Sequence, residues 1–288
     1  MESKKKGEQK MIAMYGKNIV TRTLTVILAV LTLTVTVPVS ANAADTNSVP
    51  KYRVALTTKV WPSDNDEGLL VIEPEDYTEQ EVAALKESGY KVLGYLSVGS
   101  VSDERDYYHS LEPYTLDSLE DWPHEEYLDV SREGAQEWLV TRGKELIEGM
   151  GFDGLWLDNI DVYEEYTSDR MYDGITNVIR ALDPEGYIMV NGGVRYMMQA
   201  IENGDTSVDG ITQEEVFSLV TDYDGKGEFG RQEADQRAEY MEYVSAALNA
   251  GMDAFLLEYT RDENVKNDIY SYCEEVGAGY YISDDVDL

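Results

Sequence analysis

From residue 51 onward the chain alternates between short apolar runs and longer amphipathic stretches. Eight runs read as strands, at residues 53–57, 69–73, 92–97, 154–158, 187–191, 210–214, 254–258 and 279–283. Helical periodicity fills most of the intervals, at residues 134–149, 168–182, 194–202, 231–250 and 261–276. Thr78 followed by Glu81 has the spacing of a capping box ahead of another helix, and Ser131 is expected to head the helix over 134–149. Strands alternating with helices predict a parallel sheet covered by helices. Eight such units in this length favour a closed (β/α)8 TIM barrel over an open doubly wound sheet. No G-x-G-x-x-G follows the first strand, which counts against a dinucleotide site. The first connection, residues 59–68, is too short for a full helix, so a degenerate first unit is expected. The connection over 98–131 is long and irregular in pattern. It carries Tyr107, Tyr108, Tyr114 and Trp122, a natural wall for a groove.

The first 43 residues follow a different rule. Lys4, Lys5, Lys6, Lys10, Lys17 and Arg22 precede an apolar run over 24–39, and Ala41-Asn42-Ala43 has the form of a cleavage site. This reads as an export signal cut after Ala43, then a linker over 44–52 and one catalytic domain over 53–288. The run is too short and too rich in threonine for a spanning helix, so membrane contact is expected only through the signal. Removing 1–43 leaves 17 basic against 55 acidic residues, a net charge of about −38 against −34 for the whole chain. Such a field repels nucleic acid and draws in cations. Only His109 and His124 are present, which excludes a His-rich metal site and disfavours Ser-His-Asp chemistry. Cys273 is the only cysteine, so no intramolecular disulfide forms, and its helical setting suggests a small buried hydrophobe. Acid–base work falls to carboxylates, with no cofactor expected.

The strand ends carry the chemistry. LGYLSVGS ends in Ser97, GLWLDNID in Asp158, Asn159 and Asp161, YIMVNGG in Asn191, GITQEE in Glu214 and Glu215, AFLLEYT in Glu258, and YYISDD in Ser283 and Asp284. In a β/α barrel those ends meet at the mouth where active sites lie. Two carboxylates suffice for glycoside hydrolysis, one donating a proton and one attacking carbon or activating water. Strand parity puts Leu155 and Leu157 toward the helices, and Trp156 and Asp158 toward the barrel axis. The same argument selects Thr212 and Glu214 as inward, with Glu215 in reserve. Tyr95, Trp156, Tyr163 and Tyr259 lie near strand ends and suit sugar faces, or core packing. Asp161 is read either as a helix cap or as a cleft residue. Asn191-Gly192-Gly193 is either a tight turn or a place where sugar approaches backbone. Glu258 is a sugar-binding or pKa-tuning carboxylate, or an ion-pair partner of Arg261 or Arg105. Ser97 either lines the site or satisfies backbone groups. Asp222-Tyr223-Asp224-Gly225 lacks the later ligands of a calcium loop and reads as a turn.

VIEPEDYTEQEVAALKESGYKVLGYLSVGS, EEYLDVSREGAQEWLV and above all GFDGLWLDNIDVYE resemble glycoside hydrolase family 114, over about residues 69–285. The resemblance implies an endo-acting hydrolase of α-1,4-linked galactosamine-containing polysaccharide, working by retention. It matches Asp158 to the nucleophile and Glu214 to the acid/base. Ser97, Tyr95, Trp156, Asn159, Asp161, Asn191, Glu258 and Tyr259 are then candidates for binding substrate. Ser100 stands where many members carry an acidic residue, a departure that bears on which sugar is cut. A partly deacetylated galactosamine polymer is a polycation and would suit so acidic a partner. The alternatives are a glycosidase of different sugar specificity, a carbohydrate-binding barrel without turnover, and a carboxylate-based metal hydrolase.

Overall fold

The computed structural model describes residues 49–288, apart from Asn65, Glu120, Asp121, Pro123, Thr206 and Asp224. The expected export signal, and the linker as far as residue 48, lie outside the described residues. Eight parallel strands form the barrel: β1 (Tyr52–Ala55), β2 (Gly68–Ile72), β3 (Tyr90–Ser97), β4 (Gly154–Asp158), β5 (Tyr187–Asn191), β6 (Gly210–Glu214), β7 (Asp253–Tyr259) and β8 (Gly279–Ser283). Each pairs with its neighbour in chain order, and the Lys51–Tyr280 bridge links the two ends of the sheet. The chain is a (β/α)8 TIM barrel.

Among the described residues six long helices pack outside: α1 (Glu79–Ser88), α2 (Glu133–Lys144), α3 (Asp169–Leu182), α4 (Val194–Glu202), α5 (Ala234–Asn249) and α6 (Glu263–Val276). Thr78 and Glu81 form the expected capping box at α1. At α2 the cap is Arg132 rather than Ser131, because the Ser131 hydroxyl and amide both turn back to Asp129 Oδ1. Among the described residues no helix lies between β1 and β2, as the short connection requires.

Strand parity divides the core in two. Leu155, Leu157, Val190 and Ile211 pack toward the helices. Val54, Val71, Leu93, Trp156, Met189, Phe255 and Leu257 fill the barrel interior. Thr212 sits at the interior's polar centre. Its hydroxyl lies 2.9 Å from Tyr52 Oη and accepts the Trp156 indole N–H at 3.0 Å.

The loops at the C-terminal ends of the strands are more ordered than their sequence suggests. The connection after β3 folds into a three-stranded antiparallel sheet of Ser100–Ser102, Glu125–Leu128 and Thr115–Ser118. After β6, Ser218–Asp222 pairs antiparallel with Glu228–Arg231, so residue 231 belongs to a hairpin and not to α5. Residues 284–288 pass back over the mouth. Arg261 holds them to that hairpin by donating to the carbonyls of Lys226, Gly227 and Asp284, and Lys226 pairs with Asp285 at 2.9 Å.

Candidate active site

Asp158, Asn191 and Glu214 occupy the last position of three consecutive strands, β4, β5 and β6. Each is followed at once by a left-handed residue: Asn159 at φ 60°, Gly192 at φ 61° and Glu215 at φ 56°. That conformation is costly for a residue with a Cβ, by about 1–3 kcal/mol. It ends the strand abruptly and leaves the preceding side chain at the mouth. Asn159 secures its own turn by donating from Nδ2 to Ser97 Oγ at 2.9 Å. Glu215 secures the other by accepting the Val220 amide at 2.9 Å.

Asn191 joins the two carboxylates. Its Nδ2 donates to Asp158 Oδ1 at 2.9 Å and to Glu214 Oε1 at 2.7 Å. Those two oxygens therefore lie no further apart than both bonds laid end to end, about 5.6 Å. The remaining oxygens have phenol donors, Tyr95 to Asp158 Oδ2 at 3.0 Å and Tyr259 to Glu214 Oε2 at 2.7 Å. Burial raises the pKa of both acids. Glu214 is pushed up to about 7, by desolvation first and by the charge of Asp158 second. At Asp158 the donors Asn191, Asn159 and Tyr95 work against desolvation. Two neighbouring acids whose environments separate their protonation can divide the roles of proton donor and anion between them.

The pair opens into a cavity of about 1520 Å³ at the barrel mouth. Ten carboxylate side chains line it against two arginines, so its walls favour cations. Arg105 is already committed, to Glu73 at 2.7 Å and Glu75 at 3.0 Å. Asp161 reaches solvent at the rim. Enclosure by the cavity walls, then the charge of Asp158, push its pKa up to about 6. Asp161 therefore lines the cleft, and its side chain makes no cap bond to the short helix that follows it. Among the described residues no group of three or more His, Cys, Asp or Glu has the arrangement to hold a metal ion.

The structure brings Asp158, Glu214, Tyr95, Asn159, Asp161, Asn191 and Tyr259 to this one cavity. Three expected binding residues lie elsewhere. Trp156 faces the axis but lies one layer below Asp158. It is 1 % exposed, with its N–H taken by Thr212, so no sugar reaches it. Glu258 points out of the barrel wall and is fully buried. It accepts the amides of Phe217 and Ser218 and the Ser218 hydroxyl, pairs with neither Arg261 nor Arg105, and burial pushes its pKa up to about 7. Its work is to brace the backbone just after Glu214. Ser97 is not in the cavity wall and holds the Ser100 carbonyl and the Asn159 amide instead. Ser100, at the position where an acidic residue was expected from the resemblance, is buried and donates to Glu125. That carboxylate, 25 residues away on another strand, is the one in the cavity. Glu73, Glu125 and the tail residues Val286 and Asp287 complete the wall. Glu73 ends the expected strand 69–73 and was within reach of the strand-end rule, whereas only contacts across the fold reveal the other three.

The sequence matches glycoside-hydrolase family GH114 over residues 36–285. The chain belongs to that family. This GH114 chain is a glycoside hydrolase. No curated protein sequence matches it. Among solved structures, the glycoside hydrolase domain of PelA from Pseudomonas aeruginosa is 18 % identical, with a TM-score of 0.66, covering 84 % of this chain and 97 % of that one. Ega3 from Aspergillus fumigatus, solved in complex with galactosamine, is 17 % identical, with a TM-score of 0.66 and coverage of 84 % and 93 %. An α-galactosidase from Thermus thermophilus, TtGalA, is 12 % identical with a TM-score of 0.53, covering 80 % of this chain and 57 % of that one. At these identities the structural likeness describes the fold. Among the described residues no helix is long and apolar enough to cross a membrane.

Proposed function

We propose that this GH114 chain is an exported, endo-acting hydrolase of α-1,4-linked, galactosamine-containing polysaccharide that retains anomeric configuration. Asp158 is the nucleophile and Glu214 the acid/base. The observation that carries this reading is the single Asn191 nitrogen shared by both carboxylates. It keeps their nearest oxygens within about 5.6 Å, and retaining enzymes place the two groups about 5–5.5 Å apart, against about 6.5–9.5 Å for inversion. In the first step Glu214 gives its proton to the glycosidic oxygen while Asp158 attacks the anomeric carbon. The bond to the leaving sugar breaks as the glycosyl–Asp158 bond forms. In the second, the Glu214 carboxylate takes a proton from water, whose oxygen displaces Asp158. The raised pKa of Glu214 supplies the acid near neutral pH.

The amino-sugar assignment is supported by the excess of carboxylates along the cavity, by the acidity of the chain, and by the galactosamine bound to Ega3. Export is supported by the basic start, apolar run and A-x-A site of residues 1–43. The test is release of reducing ends from galactosamine polymer, with the anomer of the first product read by NMR. Asp158→Asn and Glu214→Gln should each abolish release with circular dichroism unchanged. Near-parental activity in either removes that residue from the mechanism, and a β product removes retention.

A further inference from the structure

Trp122 and Tyr223 are large rings that are 53 % and 56 % exposed, and both face the cavity of the carboxylate pair. Isolated exposed aromatics are ordinary on a protein surface. These two are not isolated. Their ring centroids lie 5.7 Å apart at an interplanar angle of 69°, the edge-to-face geometry that aromatic quadrupoles favour. Yet 101 positions separate them in sequence, and they belong to different loops. Trp122 comes from the connection after β3 and Tyr223 from the hairpin after β6.

In strand order, a line joining the ends of β3 and β6 divides the barrel mouth. On one side are Thr57, Glu73 and Val286, from the loops after β1, β2 and β8. On the other are Asp161, Gly192 and Arg195, after β4 and β5. Asp158 ends β4, on the second side of that line, and Glu214 ends β6, on the line itself, so the bridge lies beside the carboxylate pair. The cavity, at about 1520 Å³, exceeds the ~300–1,000 Å³ typical of a pocket for one small molecule and has room for several sugars.

We propose that Trp122 and Tyr223 form an aromatic bridge across the active-site cleft and grip, by stacking, a sugar of the bound polymer beyond the one being cleaved. The proposal rests on the polysaccharide reading given above and adds a subsite to it. The hydrophobic C–H face of a pyranose lies against the rings, while its ammonium and hydroxyl groups face the acidic floor. Edge-to-face contact suits this role, because the rings can part to admit an internal stretch of polymer and close on it again.

The test uses galactosamine oligomers of graded length and the polymer, with Trp122→Ala, Tyr223→Ala, the double variant, Trp122→Phe and Tyr223→Phe. Each alanine variant should lose about ten-fold in kcat/KM on polymer, mostly through KM, and the loss should shrink as the oligomer shortens. The double variant should fall little further, since either change breaks the bridge, and the phenylalanine variants should keep most of the activity. In an Asp158→Asn background, oligomers should slow acrylamide quenching of tryptophan fluorescence, and Trp122→Phe should remove that protection. Equal losses at every length, no loss, a gain on polymer, or protection that survives Trp122→Phe would each overturn the bridge. If the parent enzyme cleaves no galactosamine polymer, the amino-sugar reading fails and takes the bridge with it. An active parent with indifferent rings refutes the bridge alone.

Discussion

Replacing Tyr259 with phenylalanine removes the phenol that donates to Glu214 Oε2 at 2.7 Å and leaves the ring in place. A hydrogen bond to a charged group contributes about 1.5–3 kcal/mol, and one pKa unit corresponds to about 1.4 kcal/mol. Allowing for water that takes the vacated place, the Glu214 carboxylate loses enough stabilisation to raise its pKa by about one unit, from about 7 toward about 8. In the proposed mechanism Glu214 starts the reaction protonated, so the alkaline limb of kcat/KM against pH should move up by that unit. Tyr95→Phe makes the matching change at Asp158, which the proposed mechanism needs ionised. Its acid limb should move up instead, narrowing the profile that Tyr259→Phe widens. The assay is kcat/KM from pH 4 to about 10 on a galactosamine oligomer, with circular dichroism at each end. An alkaline limb unmoved by Tyr259→Phe, or an acid limb moved in its place, would refute the assignment of Glu214 as the acid.

Glu258→Ala strands three donors on Phe217 and Ser218 in the core and should cost about 3 kcal/mol or more in urea unfolding, with Glu258→Gln costing clearly less. Because the folded pKa of Glu258 is raised to about 7 from an ordinary value near 4.5, the folded state binds the extra proton between those pH values. Its contribution to stability is present below about pH 4.5, falls by about 3 kcal/mol as pH rises to about 7, and is level beyond. That slope should be missing from Glu258→Gln. Arg261→Ala releases three carbonyls that tie the hairpin of 218–231 to the tail, so limited proteolysis should cut both segments sooner than in the parent, with the barrel intact. Raising salt from 50 to 500 mM should raise KM for a cationic polymer several-fold and leave kcat nearly constant.

The barrel was legible in the sequence because each strand is a short apolar run punctuated by polar residues, and three of the four central strands, β4, β5 and β6, have the expected bounds. Asp158 and Glu214 were legible because parity and position at a strand end coincide. Trp156 shows where parity stops. The period-two rule gives the face but not the depth, and two residues of strand lower a side chain by about 6.6 Å, into a closed layer. Glu258 lies between inward-facing Leu257 and Tyr259, so parity applied there points it out of the barrel. Reading the polar strand end alone put it at the mouth. The Ser100–Glu125 bond and the Arg105 pairs with Glu73 and Glu75 depend on partners 25 to 32 residues apart, for which no local pattern exists.

The shared Asn191 amide has a consequence for how charge moves during turnover. In the proposed mechanism the anion before the first step is Asp158. Once the glycosyl bond has formed and the proton has left, the anion is Glu214. The pair carries one negative charge at both stages, and it merely changes address. One NH2 group already touches both addresses, so the charge crosses the cleft without any dipole having to swing after it. In that mechanism the fixed amide takes the place of water that would otherwise have to reorient.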